Sequence, residues 1–348
     1  MISIIGGGPV GCYVGYLLAK KGLDVNIFEQ HKEIGEPVHC TGLVTSKIKD
    51  YFDLPKELII NEIQDIRIYS PNDCLKLKLK NSDYVLDRKG LDKYLAKMAE
   101  QAGAKIRLGA RLVGFEENKI KIKENDKINL FDPDFVVGAD GPLSKVSDKI
   151  NHKKNNYMVG VQVRAKLKND NAIEFYPHIG AFAWVVPENK EVVRIGIAAY
   201  EKPNEVLKNF LELKKVNEII EYQGGIIPIY RNKKIQDGNL FLLGDAAGQV
   251  KATTGGGLIP GFEAAKTLSK AISEKKYYKP FKLNLRKNLL LRKVMDKFSN
   301  KDWDKLIEIF KKTRNKNILE SIDRDNILRL SLKLVKEPRL FRFIKYLK

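Results

Sequence analysis

The chain has 348 residues, 43% of them hydrophobic and 30% charged, with a formal net charge of +20. That length can bury a large core and points to two domains rather than one. Three cysteines, Cys12, Cys40 and Cys74, without metal spacing or an even disulfide set, exclude a disulfide-framed secreted domain and indicate a reducing compartment. No apolar run approaches a membrane span, and the chain enters directly into Ile2–Ile5 with no basic leader, so a cytoplasmic location is expected. The basic excess is concentrated at the end: from Lys275 to Lys348 there are 23 Lys or Arg against 8 Asp or Glu. Such a tail suits nucleic acid, an anionic membrane surface, or a solvated lysine-rich face.

Residues 2–5 and 24–29 read as buried strands around a helix from Pro9 to Lys21. Between them Gly6-Gly7-Gly8-Pro9-Val10-Gly11 makes a GxGxxG pattern. Gly6 allows the tight turn, Gly8 lets a pyrophosphate approach the backbone, and Gly11 lets helix and strand pack closely. Glu29 closes the second strand 18 residues after Gly11, where a carboxylate accepts ribose hydroxyls. Dinucleotide binding at the helix N-terminus is the expected outcome.

After a loop from Gly35 to Leu43, strands are predicted at 64–69 and 75–79, joined at Pro71-Asn72-Asp73. A short strand, 84–86, ends at Asp87-Arg88, ahead of a helix over 91–102. Strands at 105–108, 111–116, 119–123 and 135–137 follow, the last leading into Gly138-Ala139-Asp140-Gly141 and a short helix over 143–150. The pattern then changes to long strands, 157–167, 172–176, 182–186 and 192–199, an antiparallel sheet inserted into an α/β frame. A helix is predicted over 204–221, and 226–230 returns toward the first domain. The apolar run Leu240–Leu243 then delivers Asp245 into GDAAGQVKATTGGG, residues 244–257, and a helix over 258–272. Helices over 281–298, 303–312, 317–335 and 338–347 complete the chain.

The GxGxxG with Glu29, Arg88 at a helix start, the GADG and the GDAAG occur in an order that resembles the FAD-dependent hydroxylase-like superfamily. Three features are similar to the geranylgeranyl reductase family within it: the Pro37–Cys40 loop, the Phe182–Pro187 strand and the long glycine segment 244–257, which departs from the family pattern at Ala252. The loop also departs, reading Cys-Thr-Gly where Cys-Gly-Glu-Gly is more usual, as does the strand, with Phe182 and Val186 in place of tyrosine and phenylalanine.

The resemblance implies a Rossmann-like FAD-binding domain (1–60, 81–155 and 226–280), an inserted antiparallel substrate-binding sheet (61–80 and 156–225) and a basic helical cap (281–348). It implies that FAD is held by Gly6, Gly8, Val10, Gly11, Glu29, Cys40, Thr41, Arg88, Leu112, Asp245, Gly257 and Leu258, with Asp245 on the ribityl chain. It places Cys40 beside the flavin ring as a catalytic candidate, and Phe182 and Trp184 along an apolar substrate route. Each has a plainer reading, Cys40 as an inert loop residue and Trp184 as core.

The function implied is reduction of carbon–carbon double bonds in geranylgeranyl chains of archaeal-type lipid precursors. Its partners would be an isoprenoid lipid, an electron donor (a ferredoxin-like protein, a deazaflavin or NAD(P)H) and, at the periphery, an anionic membrane on its inner face. The alternatives are a flavin monooxygenase or halogenase of the same fold, and an RNA-binding flavoprotein using the basic tail. The tail lacks regularly spaced stacking aromatics, which argues against nucleic acid.

Overall fold

A computed structural model describes residues 1–151, 156–280, 283–321, 325 and 337–347. The first layer is a six-stranded sheet in the order Gln236–Asp237, Leu240–Leu242, Phe135–Gly138, Ile2–Ile5, Val25–Phe28, Lys105–Arg107. Every pairing in it is parallel except that of Gln236–Asp237 with Leu240–Leu242. Its central strands, Ile2–Ile5, Val25–Phe28 and Phe135–Gly138, are short and buried at nearly every position, because helices cover both faces. Pro9–Ala19, Arg88–Gln101 and Leu258–Ser273 pack together through Tyr13, Phe52 and Phe262 within one apolar core.

Chain direction decides where a ligand can go. Ile2–Ile5 has Val25–Phe28 on one side and Phe135–Gly138 on the other, so successive crossovers leave in opposite directions and open a crevice at the carboxyl ends of the strands.

The second layer is an eight-stranded sheet, ordered Glu218–Pro228, Tyr157–Lys166, Val192–Ala199, Phe182–Pro187, Ile173–Tyr176, Ile59–Tyr69, Cys74–Leu86, Leu43–Thr45. The hairpin Ile59–Tyr69 and Cys74–Leu86 is longer than the sequence suggests. Its second strand runs through residues 80 and 81, where the sequence placed a domain boundary. A small three-stranded sheet, Arg111–Glu116, Lys119–Glu124 and Lys127–Phe131, adds a strand that the sequence reading missed.

One expected helix is corrected. Residues 204–221 form a helix only over Pro203–Leu213, and Glu218–Pro228 is the edge strand of the large sheet, paired with Tyr157–Lys166. The helix stops because Lys215 turns to φ +54°, with Lys215 N–H donating to Glu212 O (3.0 Å) and Val216 N–H to Leu211 O (3.0 Å). These are the two bonds of a Schellman stop, carried by lysine where glycine is the usual marker.

At the end of the chain, helices span Leu283–Met295, Asn300–Lys311 and Thr313–Ser321, followed by 3₁₀ turns over Pro338–Leu347. Most of the helix expected over 317–335 lies outside the described residues.

Candidate flavin site and adjoining cleft

Parallel strands end on one edge of the sheet, and that edge collects the motif residues. Gly6 follows Ile2–Ile5, Glu29 follows Val25–Phe28, Asp140 follows Phe135–Gly138, and Asp245 follows Leu240–Leu242. Backbone bonds Gly6 N–Phe28 O, Ala139 N–Ile5 O and Leu243 N–Gly138 O, all 2.8–2.9 Å, keep these ends level.

The glycines divide by what surrounds them. Gly6 has φ +106°, and a Cβ there would lie 2.3 Å from the Ala139 carbonyl oxygen. One on Gly11 would lie 2.1 Å from the Gly6 oxygen. At Gly8 nothing lies within 4 Å, so this backbone faces open space. Gly7, to which the pattern assigns no role, donates its N–H to Glu29 Oε2 (2.7 Å), while Glu29 Oε1 accepts the His31 N–H (2.9 Å). Val10 packs toward Gly244 and Gly261, joining the first glycine loop to the last helix of the sheet layer. Leu112 is a buried core residue on the small sheet.

Arg88 opens its helix immediately after Asp87, whose side chain accepts the Gly90 N–H (3.1 Å). The Arg88 guanidinium donates to Asp92 at 2.9 and 3.2 Å. Burial pulls its pKa down, but Asp92 and then the Cys40 sulfur outweigh this and leave it raised. Arg88 Nε and Asp140 Oδ1 are buried without a hydrogen-bond partner. Burial raises the Asp245 carboxyl to about 6, opposed only by Arg88. An extended, hydroxyl-rich, anionic cofactor fits this set: open backbone at Gly8, an idle donor on Arg88, and a carboxylate at Asp245 in need of donors.

The last glycine run lies between this crevice and a cleft that opens to solvent. Gly257 caps the helix Leu258–Ser273, and a Cβ on it would lie 3.1 Å from Asp245 Oδ1. Gly255, at φ +68°, leaves room for the Phe182 ring. Cys40, Thr41, Phe182, Trp184, Gly257 and Leu258 line the cleft together, with Val186 and Ile227 adding apolar wall. Phe182 and Trp184 sit with ring centroids 5.6 Å apart.

Two residues that hold this cleft escaped the sequence reading. Gln162 Oε1 accepts from Thr41 Oγ1 (2.8 Å) and Trp184 Nε1 (3.3 Å), and its Nε2 donates to Gln223 Oε1 (2.6 Å). Arg194 donates through Nη1 to the carbonyls of Thr41 (2.5 Å) and Leu86 (3.2 Å), and through Nε to Glu188 (2.6 Å). Alternation on two sheet strands turns both side chains inward, but nothing local in the sequence names their targets. His39 Nδ1 donates to the Gly224 carbonyl, a loop contact.

Residues 61–275 match the FAD binding domain family, and residues 4–44 match the NAD(P)-binding Rossmann-like domain family. An uncharacterized protein of Methanocaldococcus jannaschii is 30% identical, covering 96% of this chain and 94% of its own length. Digeranylgeranylglycerophospholipid reductase 1 of Methanococcoides burtonii is 30% identical over 88% of this chain and 86% of its own length. The corresponding reductase of Methanosarcina acetivorans is 31% identical over 78% and 75%. Among solved structures, a geranylgeranyl bacteriochlorophyll reductase-like protein from Thermoplasma acidophilum superposes with a TM-score of 0.81 at 23% identity, covering 100% of this chain and 98% of its own. A triple mutant of the flavin-dependent brominase Bmp2 gives 0.67 at 13% over 99% and 93%, a likeness of fold alone. The cofactor is FAD, and the chain belongs to the geranylgeranyl reductase family of FAD-dependent oxidoreductases.

Proposed function

We propose that this enzyme saturates carbon–carbon double bonds in the geranylgeranyl chains of membrane-lipid precursors. The observation that carries the reading is an apolar cleft, walled by Phe182, Trp184, Val186 and Ile227, directly against the glycine turn 255–257. When bound and reduced, FAD would supply the hydride for one alkene carbon, and a proton would complete the other. The chain's own part is to bind and exclude water. Gly6, Gly8, Gly11, Glu29, Arg88 and Asp245 hold the dinucleotide, with Val10 and Leu112 packing behind. Gly257 and Leu258 present backbone N–H groups at a helix start. Cys40 and Thr41 form the floor, braced by Arg88, Arg194 and Gln162. Phe182 and Trp184 hold an extended isoprenoid across it.

The reducing equivalents come from a ferredoxin-like protein, a deazaflavin or NAD(P)H. The single dinucleotide fingerprint lies in the crevice that we assign to FAD, so the donor must approach transiently. Membrane contact is assigned to the last turns, where Phe341, Ile344 and Leu347 are 54%, 51% and 50% exposed beside Arg342 and Lys345. Among the described residues no helix is long and apolar enough to cross a membrane.

The test is anaerobic incubation of the FAD-loaded, chemically reduced protein with a digeranylgeranylglycerol phospholipid, followed by mass spectrometry. A ladder of products, each two hydrogens heavier, supports the reading. Unchanged lipid, together with substrate-dependent oxygen consumption in a parallel aerobic assay, would favour a monooxygenase instead.

A further inference from the structure

The helix Leu283–Met295 holds both walls of the apolar cleft through two buried side chains, Asn288 and Arg292, which are 3% and 2% exposed. Residues four apart lie on one face of a helix. Asn288 Oδ1 accepts the Thr253 hydroxyl at 2.6 Å, and its Nδ2 donates to the Asn284 carbonyl at 2.9 Å. Arg292 Nη1 donates to the Ala181 carbonyl at 2.7 Å. Its Nη2 pairs with Asp296 at 2.8 Å, and Asp296 also accepts the Tyr200 hydroxyl at 2.9 Å.

These partners adjoin the groups that face each other across the cleft. Ala181 immediately precedes Phe182, and its N–H donates to Ala198 O at 2.8 Å, so the sheet and the helix each hold this residue. Thr253 lies in the turn that leads into the glycines. That turn closes on itself by Gly255 N–H to Lys251 O (2.8 Å) and Lys251 N–H to Gly256 O (3.1 Å), so a pull at Thr253 moves it as a unit. The gap between the walls is narrow, because a Cβ on Gly255 would lie 3.3 Å from Phe182 Cζ.

We propose that Thr253, Asn288 and Arg292 are positioning residues, through which the helix Leu283–Met295 fixes the gap between Phe182 and the glycine turn. The gap then sets the thickness of chain that the cleft accepts. A methyl-branched chain fills it, whereas a straight chain of equal length leaves space beside it and forfeits dispersion contacts. This inference rests on the apolar-chain reading given above.

Phytanic acid and palmitic acid test it, because they share a main-chain length, differ only in methyl branches and contain no double bond to reduce. Calorimetry on the FAD-loaded full chain gives the affinity for each. The wild type is expected to favour phytanic acid about tenfold. Thr253→Val breaks the bond at one wall, and Arg292→Lys shortens the reach at the other. Each is expected to bring the ratio roughly threefold nearer to one. Thr253→Ser keeps the hydroxyl and should keep the ratio. A bond that served stability alone would lower the melting temperature on removal and leave the ratio unchanged. That result would overturn the inference, as would a wild-type ratio of one. Where Arg292→Lys fails to retain FAD, the two Thr253 variants decide. The two readings fail separately. A wild type that favours palmitic acid but loses the preference in the variants refutes the isoprenoid reading alone. Lipid reduction with an unmoved ratio refutes the clamp alone.

Discussion

Asp245 carries a carboxylate in surroundings that disfavour its charge. Its folded pKa of about 6 lies above the ordinary 3.8. Between those values the folded protein holds a proton that the unfolded chain has released, so the stability present below pH 3.8 is lost as pH rises through 6. In FAD-free protein, Asp245→Asn should therefore stabilise the fold at pH 7.5 by up to about 3 kcal/mol, with almost no gain at pH 3.5. The same variant should retain FAD poorly. Urea unfolding at both pH values and flavin content after gel filtration check this, and an equal gain at both would sink it.

Gly8 and Gly11 offer a second test at this scale. Alanine at Gly11 collides with the Gly6 carbonyl and should cost several kcal/mol or prevent folding. Alanine at Gly8 meets nothing in the chain. Gly8→Ala should leave FAD-free melting unchanged while weakening FAD by tenfold or more, measured by flavin fluorescence quenching. The spacing of these glycines was readable from the sequence because close helix–strand packing at Gly11 and open backbone at Gly8 belong to one local pattern. The pairing of Gly7 with Glu29 was not, because it depends on how two strands lie side by side.

The elements that position the cleft are sheet strands, and their coupling runs through Gln162. Replacing it by leucine would leave the Thr41 hydroxyl and the Trp184 indole N–H without their common acceptor. A loss of roughly 1–3 kcal/mol is expected, together with a larger proportional fall in lipid turnover than in FAD affinity. Chemical denaturation, steady-state kinetics and flavin titration separate the two, and an equal fall in both would mean that Gln162 serves the fold alone. At this scale strands with regular alternation were legible, including Arg111–Glu116 and Val192–Ala199, whose limits agree with expectation. The run 204–221 misled because its amphipathic spacing continues past Leu213 and no glycine marks the stop. Pairing along the open edge of Tyr157–Lys166 then outweighed the local pattern.

Considered whole, the molecule joins a basic, partly apolar final segment to a cofactor-binding core. Phe298, Trp303, Phe343 and Tyr346 form an aromatic cluster that fixes the last turns and leaves Phe341 and Ile344 facing solvent. If this face meets an anionic bilayer, flotation with phosphatidylglycerol-type vesicles should fall with rising salt. Phe341→Glu with Ile344→Glu should reduce it at least fivefold at constant flavin content. Binding of RNA rather than vesicles would point the tail elsewhere.

Sequence alone determined the fold class, the FAD cofactor and the family, because close backbone approach, helix starts and strand-end acids at the sheet's crevice require particular residues at particular spacings. Only the tertiary structure decided what adjoins that crevice. Arg194, Gln162, Asn288 and Arg292 are unremarkable in one dimension. They acquire partners only where the two sheets and the final helices converge.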